Sequence, residues 1–155
     1  MSESTPASLA LANMGIPFKE FIHTGPIHSL EQAASERGQS PSQIIRSILF
    51  RLGQGEFVMV LVAGPRQISW PKLRGFLGQS RITMASDEEV FEVTGFRPGA
   101  VSPFGLPSLL RILADEGVFI PEEVSIGSGV RGTAIVIKTS DLKTALGSIE
   151  TGQFV

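Results

Sequence analysis

The chain contains no cysteine. That excludes disulfides, thiolate zinc sites and a cysteine nucleophile, and it fits a cytosolic protein. Histidine is scarce too. His23 and His28 are the only two, and their spacing matches no metal-ligand signature, so no metal is expected. The longest apolar run, Phe57 to Ala63, is far too short to span a bilayer. Met1-Ser2-Glu3-Ser4-Thr5-Pro6 lacks the basic start of a secretory signal. There is no internal repeat, low-complexity tract, linker or nucleophile-elbow motif. Nor do aromatic and basic residues interleave as they do in a stacking platform for single strands.

What remains is a globular composition. The 155 residues are 42% hydrophobic and 18% charged, which suits one domain over residues 1–155 with a substantial core. The net charge is only −2, but it is unevenly spread. From Arg37 to Arg81 seven basic residues face Glu56 alone. From Asp87 to Glu123 eight acids face Arg97 and Arg111. Both stretches read either as solvated faces or, for the first, as a face that meets an anion such as RNA phosphate.

Local signals order the elements. Thr5-Pro6 opens a helix that Gly15 stops. Phe18 to His23 reads as a short strand, and Gly25-Pro26 as a turn. Ser29-Leu30-Glu31-Gln32 has the form of a capping box for a helix reaching Gly38, and Ser40-Pro41 starts a further helical turn. Ile44 to Leu52 is the strongest strand. Both of its faces are largely apolar, so it is expected to be covered on both sides. Gly53-Gln54-Gly55 makes a hairpin turn into a second buried strand, Phe57 to Ala63, which Gly64-Pro65 ends. Ser69-Trp70-Pro71 opens a helix to Gly78, with Trp70 in the core or as a staple. Arg81 to Met84 is a brief strand, and Ser86 to Glu89 is a second capping box for a helix closing at Gly95. Leu109–Leu113, Val118–Ile120, Val124–Ile126 and Thr133–Lys138 are strand candidates, and Ser140-Asp141 caps a last helix to Gly147. Helices interleaved with hairpin-linked strands predict a mixed α/β or α+β sheet, not a doubly wound parallel one.

Three features bear on chemistry. Gly99-Ala100-Val101-Ser102-Pro103-Phe104-Gly105 is a shaped backbone loop, either a tight turn or a wall that approaches a ligand closely. Arg46 shares its strand face with Ile44, Ile48 and Phe50, so its guanidinium must be paired, reach solvent, or face a polar cleft. Gly127-Ser128-Gly129-Val130-Arg131-Gly132 matches G-x-G-x-x-G, but a strand rather than a helix follows. A glycine-rich hairpin lining a cleft is therefore expected, not a dinucleotide site. Asp115 and Glu116 lie just past an apolar strand, as a solvated turn or at a pocket mouth.

The chain resembles the YbaK/EbsC family, free-standing relatives of the editing domain of bacterial prolyl-tRNA synthetase. The matches are Ser29-Leu30-Glu31-Gln32-Ala33-Ala34, Ile44-Ile45-Arg46-Ser47-Ile48-Leu49-Phe50, Thr94-Gly95 with the loop Gly99 to Gly105, and Gly127 to Gly132. They fall in the family's order across about Thr5 to Ile149. The resemblance implies a mixed, partly barrel-like β-sheet flanked by helices, and hydrolysis of the ester that joins a mischarged amino acid to tRNA, with tRNA for proline carrying a small residue such as alanine or cysteine as the substrate. It implies Arg46, Gly99 and Asp115 as catalytic positions, and Ser29, Ala100, Val101, Ser102, Pro103, Phe104, Gly127, Ser128 and Gly129 as substrate-binding ones. It implies no cofactor, metal or membrane. The partners are the 3′ acceptor end of aminoacyl-tRNA and, as a further candidate, an aminoacyl-tRNA synthetase. Many members carry lysine where this chain has Arg46. Arginine keeps the charge but hardly deprotonates, so a positioned water with electrostatic help from Arg46 is expected rather than a general base. The alternative is a binding module of the same fold with altered chemistry. Hydrolysis of another small acyl ester or thioester is a third reading.

Overall fold

The structure, a computed structural model, describes residues 4–53 and 55–155. Met1 to Glu3, on which the leader expectation partly rests, and Gln54 of the expected hairpin turn lie outside the described residues.

Helices start where the sequence offers a cap and stop where it offers a glycine or runs out of apolar spacing. Helix α1 spans Pro6–Asn13, and the Thr5 hydroxyl accepts from the Ser8 amide. Helix α2 spans Leu30–Glu36 under a Ser29 cap, which accepts from the Gln32 amide at 3.0 Å. The box expected there is only half formed. The Gln32 side chain instead accepts from the His28 amide and donates to the Pro26 carbonyl. Helix α3 spans Trp70–Leu77 and ends at left-handed Gly78. Helix α4 spans Asp87–Thr94 behind a complete Ser86–Glu89 box. Helix α5 spans Thr139–Leu146. It starts just before the Ser140-Asp141 cap that the sequence suggests, because Thr139 is drawn in by a hydrogen bond to the Pro121 carbonyl.

Among the described residues eight strands form two sheets. They are β1 (Lys19–Ile22), β2 (Ile45–Arg51), β3 (Phe57–Ala63), β4 (Thr83–Met84), β5 (Arg111–Asp115), β6 (Glu123–Gly127), β7 (Thr133–Lys138) and β8 (Glu150–Gly152). One sheet has the order β1-β7-β6 and is antiparallel; the other has the order β4-β2-β3-β5-β8. In the second, β2 pairs antiparallel with β3 and β4, whereas β3–β5 and β5–β8 are parallel. A parallel bridge, Ile44 to Ser125, joins the two sheets. The mixed α/β architecture is thus as expected. The sheets do not close into a barrel, and what closure there is lies at that seam.

Two strand expectations shift. The segment Leu109–Leu113 pairs two residues later, as Arg111–Asp115, and Leu109 is fully exposed. Val118–Ile120 is not a strand. A 3-10 turn occupies Glu116–Phe119 because the Asp115 carboxylate captures the Gly117 amide at 3.0 Å.

Burial explains the β2–β3 hairpin. Val58, Met59, Val60, Leu61 and Val62 are all fully buried, since β3 is covered on both faces. Met59 and Leu61 join Ile45, Leu49, Ile126 and Ile135 in a core between the sheets, closed by Leu11 of α1 and Leu142 of α5. Val58, Val60 and Val62 pack on the other side with Phe50, Leu73 of α3 and Phe154 of the C-terminal tail. Trp70 packs edge-on to Phe50 here. Among the described residues no helix is long and apolar enough to cross a membrane.

Candidate functional site

A cavity of about 290 Å³ opens beside the seam between the sheets. Its walls come from four parts of the chain: β2 with the residue before it, the Gly99–Val101 stretch, the β6–β7 hairpin, and the C-terminal end of α2 with Ile27. Of the positions singled out in the sequence, Arg46, Gly99, Val101 and Gly127 line it.

The glycine loop and the glycine hairpin form one backbone unit. The Gly129 amide donates to the Ala100 carbonyl at 2.8 Å. A β-carbon on Gly127 would stand 2.0 Å from the Val101 carbonyl oxygen, so only glycine admits the loop this closely. The Ala7 amide donates to the Ser128 carbonyl at 3.0 Å, tying α1 to the same turn. The G-x-G-x-x-G match is therefore an antiparallel hairpin between β6 and β7 that receives a second loop. Gly99 has φ +87 and open space around it, which suits a backbone facing a ligand.

The other positions hold this wall from behind. The Ser102 hydroxyl accepts from the Phe104 amide, and both residues are buried, Phe104 within the main core. Pro103 is buried beside them. The Ser128 hydroxyl donates to the Thr133 carbonyl at 2.7 Å and closes the hairpin turn. Ala100 and Gly129 contribute the hydrogen bond described above, and Ser29 is an exposed helix cap. Asp115 is not brought to the cavity. It is buried at the end of β5, and its two oxygens accept from the Gly117 and Phe154 amides at 3.0 and 2.7 Å. Its carboxylate fixes the chain after β5 to the C-terminal tail, unlike the solvated turn considered from sequence, and the recess it borders with Ser42, Ala63 and Arg66 is separate from this cavity.

Arg46 is half-buried, and burial pulls its guanidinium below the ordinary arginine range. Its Nε donates to the Gly64 carbonyl at 2.7 Å, and Nη2 donates to the Arg66 carbonyl. The charge is thus held by backbone dipoles after β3, and no described carboxylate forms an ion pair with it. The structure adds two polar residues that the sequence did not single out as site positions. Arg37, the C-cap of α2, lines the cavity, with burial also lowering its pKa. Ser47 lines it as well, and its buried hydroxyl has no hydrogen-bond partner among the described residues. Ser47 stood in the sequence next to Arg46, but on a strand its face could not be given weight until the second sheet was placed.

A site with two guanidiniums, no paired carboxylate and a glycine-built wall is suited to an anionic or carbonyl-bearing ligand of small size. Comparisons with known proteins agree in kind. The prolyl-tRNA ligase of Bacillus licheniformis is 39% identical over 97 residues, covering 63% of this chain and 17% of the ligase. That of Aquifex aeolicus is 33% identical over 100 residues, covering 64% of this chain and 18% of the ligase. The chain therefore spans less than a fifth of these relatives' length. A crystal structure described as that of a candidate trans-editing enzyme for prolyl tRNA synthetase superposes with a TM-score of 0.87 at 26% identity, covering 99% of this chain and 98% of that one. The family model for aminoacyl-tRNA editing domains matches residues 24–145, a span that holds every residue lining the cavity. The chain belongs to the aminoacyl-tRNA editing domain family.

Proposed function

We propose that this protein is a trans-acting deacylase that removes a small amino acid, such as alanine or cysteine, from mischarged tRNA for proline. The observation that carries the reading is the cavity itself: small, walled by the Gly99–Val101 backbone, and lined by two guanidiniums that form no direct ion pair with a described carboxylate. Its volume is at the low end for ligand pockets, which favours an aminoacyl group over a larger acyl chain.

In this scheme a water attacks the ester carbonyl. The new C–O bond forms as the bond to the terminal ribose oxygen breaks, and that oxygen leaves with a proton. Arg46 acts electrostatically on the developing oxyanion. It is a poor base because a guanidinium stays protonated. The amides of Gly99 and Val101, which donate to no described residue, are candidates to hold the ester carbonyl. The free hydroxyl of Ser47 is the candidate to orient the water or the substrate's amino group. Asp115 enters as a structural residue. Ser29, Ala100, Ser102, Pro103, Phe104, Ser128 and Gly129 support the wall. The aminoacyl-tRNA is the partner, reached in the cytoplasm, with a synthetase as a further partner.

A panel of aminoacyl-tRNAs, including alanyl- and cysteinyl-tRNA for proline, tests this. Turnover of at least one small residue is expected, and turnover of none refutes it. The second reading is a binding module, favoured by the engagement of Arg46 with two backbone carbonyls. An inert parent that gains activity on Arg46→Lys substitution decides for it.

A further inference from the structure

Arg37 lies outside every motif, yet it is the better-built cation of the cavity. Its Nε donates to His23 Nε2 at 3.0 Å, and Nη1 donates to the Ser125 hydroxyl at 2.8 Å. Because Nε2 accepts, the imidazole proton sits on Nδ1, where it donates to Glu36 Oε1 at 2.7 Å. The other Glu36 oxygen accepts from Gln32 at 2.7 Å. The His23 side chain is wholly buried and sits edge-on to Phe21. One chain of hydrogen bonds thus runs from α2 through the end of β1 to β6 and fixes the plane of a guanidinium at the cavity wall.

The pairing is unusual in what it leaves out. Glu36 is the sequence neighbour of Arg37 and its natural counter-ion, yet it hydrogen-bonds His23 instead. The imidazole takes one N–H of Arg37 without neutralising its charge. Of the five N–H groups of a guanidinium, two are engaged and the remainder meet no described partner. A fork that is positioned, charged and in direct contact with no described carboxylate suits an anion clamp beside a cavity.

We infer that Arg37 anchors the phosphodiester joining the last two nucleotides of the tRNA 3′ end, with His23 as the positioning residue that holds the fork. The inference rests on the deacylase reading for the identity of the ligand. In an aminoacyl-tRNA this phosphate is the anion nearest the ester, whereas the free amino group of the amino acid is a cation that a guanidinium repels. Binding energy taken up at the phosphate holds the ester against the glycine wall, away from the reacting bond itself.

The test compares alanyl esters of the dinucleotide CpA and of adenosine, which lacks the phosphate. In the wild type the CpA ester is preferred. Arg37→Gln is expected to cut that preference about ten- to hundredfold, chiefly through KM, and to lower the salt slope of CpA binding by roughly 0.7, one phosphate contact on a single strand. His23→Phe keeps the ring contact but removes the acceptor, and is expected to lose the same preference. His23→Gln, whose amide oxygen can accept from Nε, is expected to restore most of it. Equal losses on both esters, or an unchanged preference, overturn the inference; Arg37→Lys serves in place of any variant whose melting curve shows misfolding. If the wild type hydrolyses neither ester, the aminoacyl-tRNA panel decides the deacylase reading separately. Binding of unesterified CpA against adenosine then decides for the clamp: a preference abolished by Arg37→Gln supports it, and no preference refutes it.

Discussion

Substituting Gly127 by alanine separates close approach from backbone strain. No positive φ is at stake at this residue, so alanine suffers no conformational penalty of its own. Its β-carbon, however, would stand 2.0 Å from the Val101 oxygen and 2.9 Å from the Val101 carbonyl carbon. Restoring an ordinary 3.4 Å contact requires the loop to retreat by about 1.4 Å from the hairpin. Overpacking of this kind costs roughly 1–3 kcal/mol, which lowers the melting temperature by roughly 2–12 °C for a chain of this size. The displaced segment is the one that lines the cavity, and a misplacement of about 1 Å can cost on the order of a hundredfold in rate. Thermal melts and single-turnover deacylation on the same preparations measure both effects. Gly78→Ala is the control. It carries φ +65 with open space around it and lies away from the cavity, so it loses about 1–2 kcal/mol through strain but keeps its activity per folded molecule. If Gly127→Ala retains activity in proportion to its folded fraction, as the control does, the loop is not a working wall and the argument fails.

Ser47→Ala is expected to leave the melting temperature unchanged or slightly higher, because a buried hydroxyl without a partner is removed, while deacylation falls about tenfold; a loss of stability with full activity contradicts this. Asp115→Ala removes the acceptor of two backbone amides and is expected to cost about 3 kcal/mol or more, with the activity of the folded fraction preserved. An inactive variant with an unchanged melt would instead return Asp115 to the catalytic set. Glu36 has its pKa lowered, first by its hydrogen bond to His23 and then by Gln32. Its contribution to stability is fully present above the ordinary carboxylate range, about 4.3, and is lost as pH falls through the lowered value. Wild type and Glu36→Gln should therefore differ in melting temperature at pH 7 and converge once the pH has fallen through the lowered Glu36 value; a gap that stays constant as the pH falls removes the His23–Glu36 interaction as its cause.

Short-range chemistry made much of this fold legible. Caps at Thr5, Ser69 and Ser86, the glycine stop at Gly78, and the unbroken apolar run of β3 each act within a few residues, so their consequences can be read in order along the chain. Elements whose state depends on a distant partner were not legible. Strand β8 is three residues at a sheet edge and exists by pairing in parallel with β5. Val118–Ile120 looks apolar enough for a strand, but one carboxylate at Asp115 turns it into a helical turn. The same division runs through the site. Arg46, the Gly99–Val101 backbone and Gly127 stand out from sequence because an arginine among isoleucines and closely spaced glycines are locally anomalous.

Their joint meaning needed the bridge from Ile44 to Ser125, which sets the β6–β7 hairpin beside β2 and makes a cavity out of residues spread from Ile27 to Ala134. Arg37 and His23 are unremarkable in sequence, fourteen positions apart with no motif between them, and only packing brings the imidazole lone pair to the guanidinium. By itself, then, the sequence determined the element types outside Val118–Ile120 and β8, the mixed sheet, the family and the two glycine loops. Tertiary structure decided which of those residues face the cavity, that Asp115 does not, and that a second arginine does. The reason is that caps and turns are settled by neighbours along the chain, whereas a cavity wall is settled by which surfaces meet once the sheets have packed.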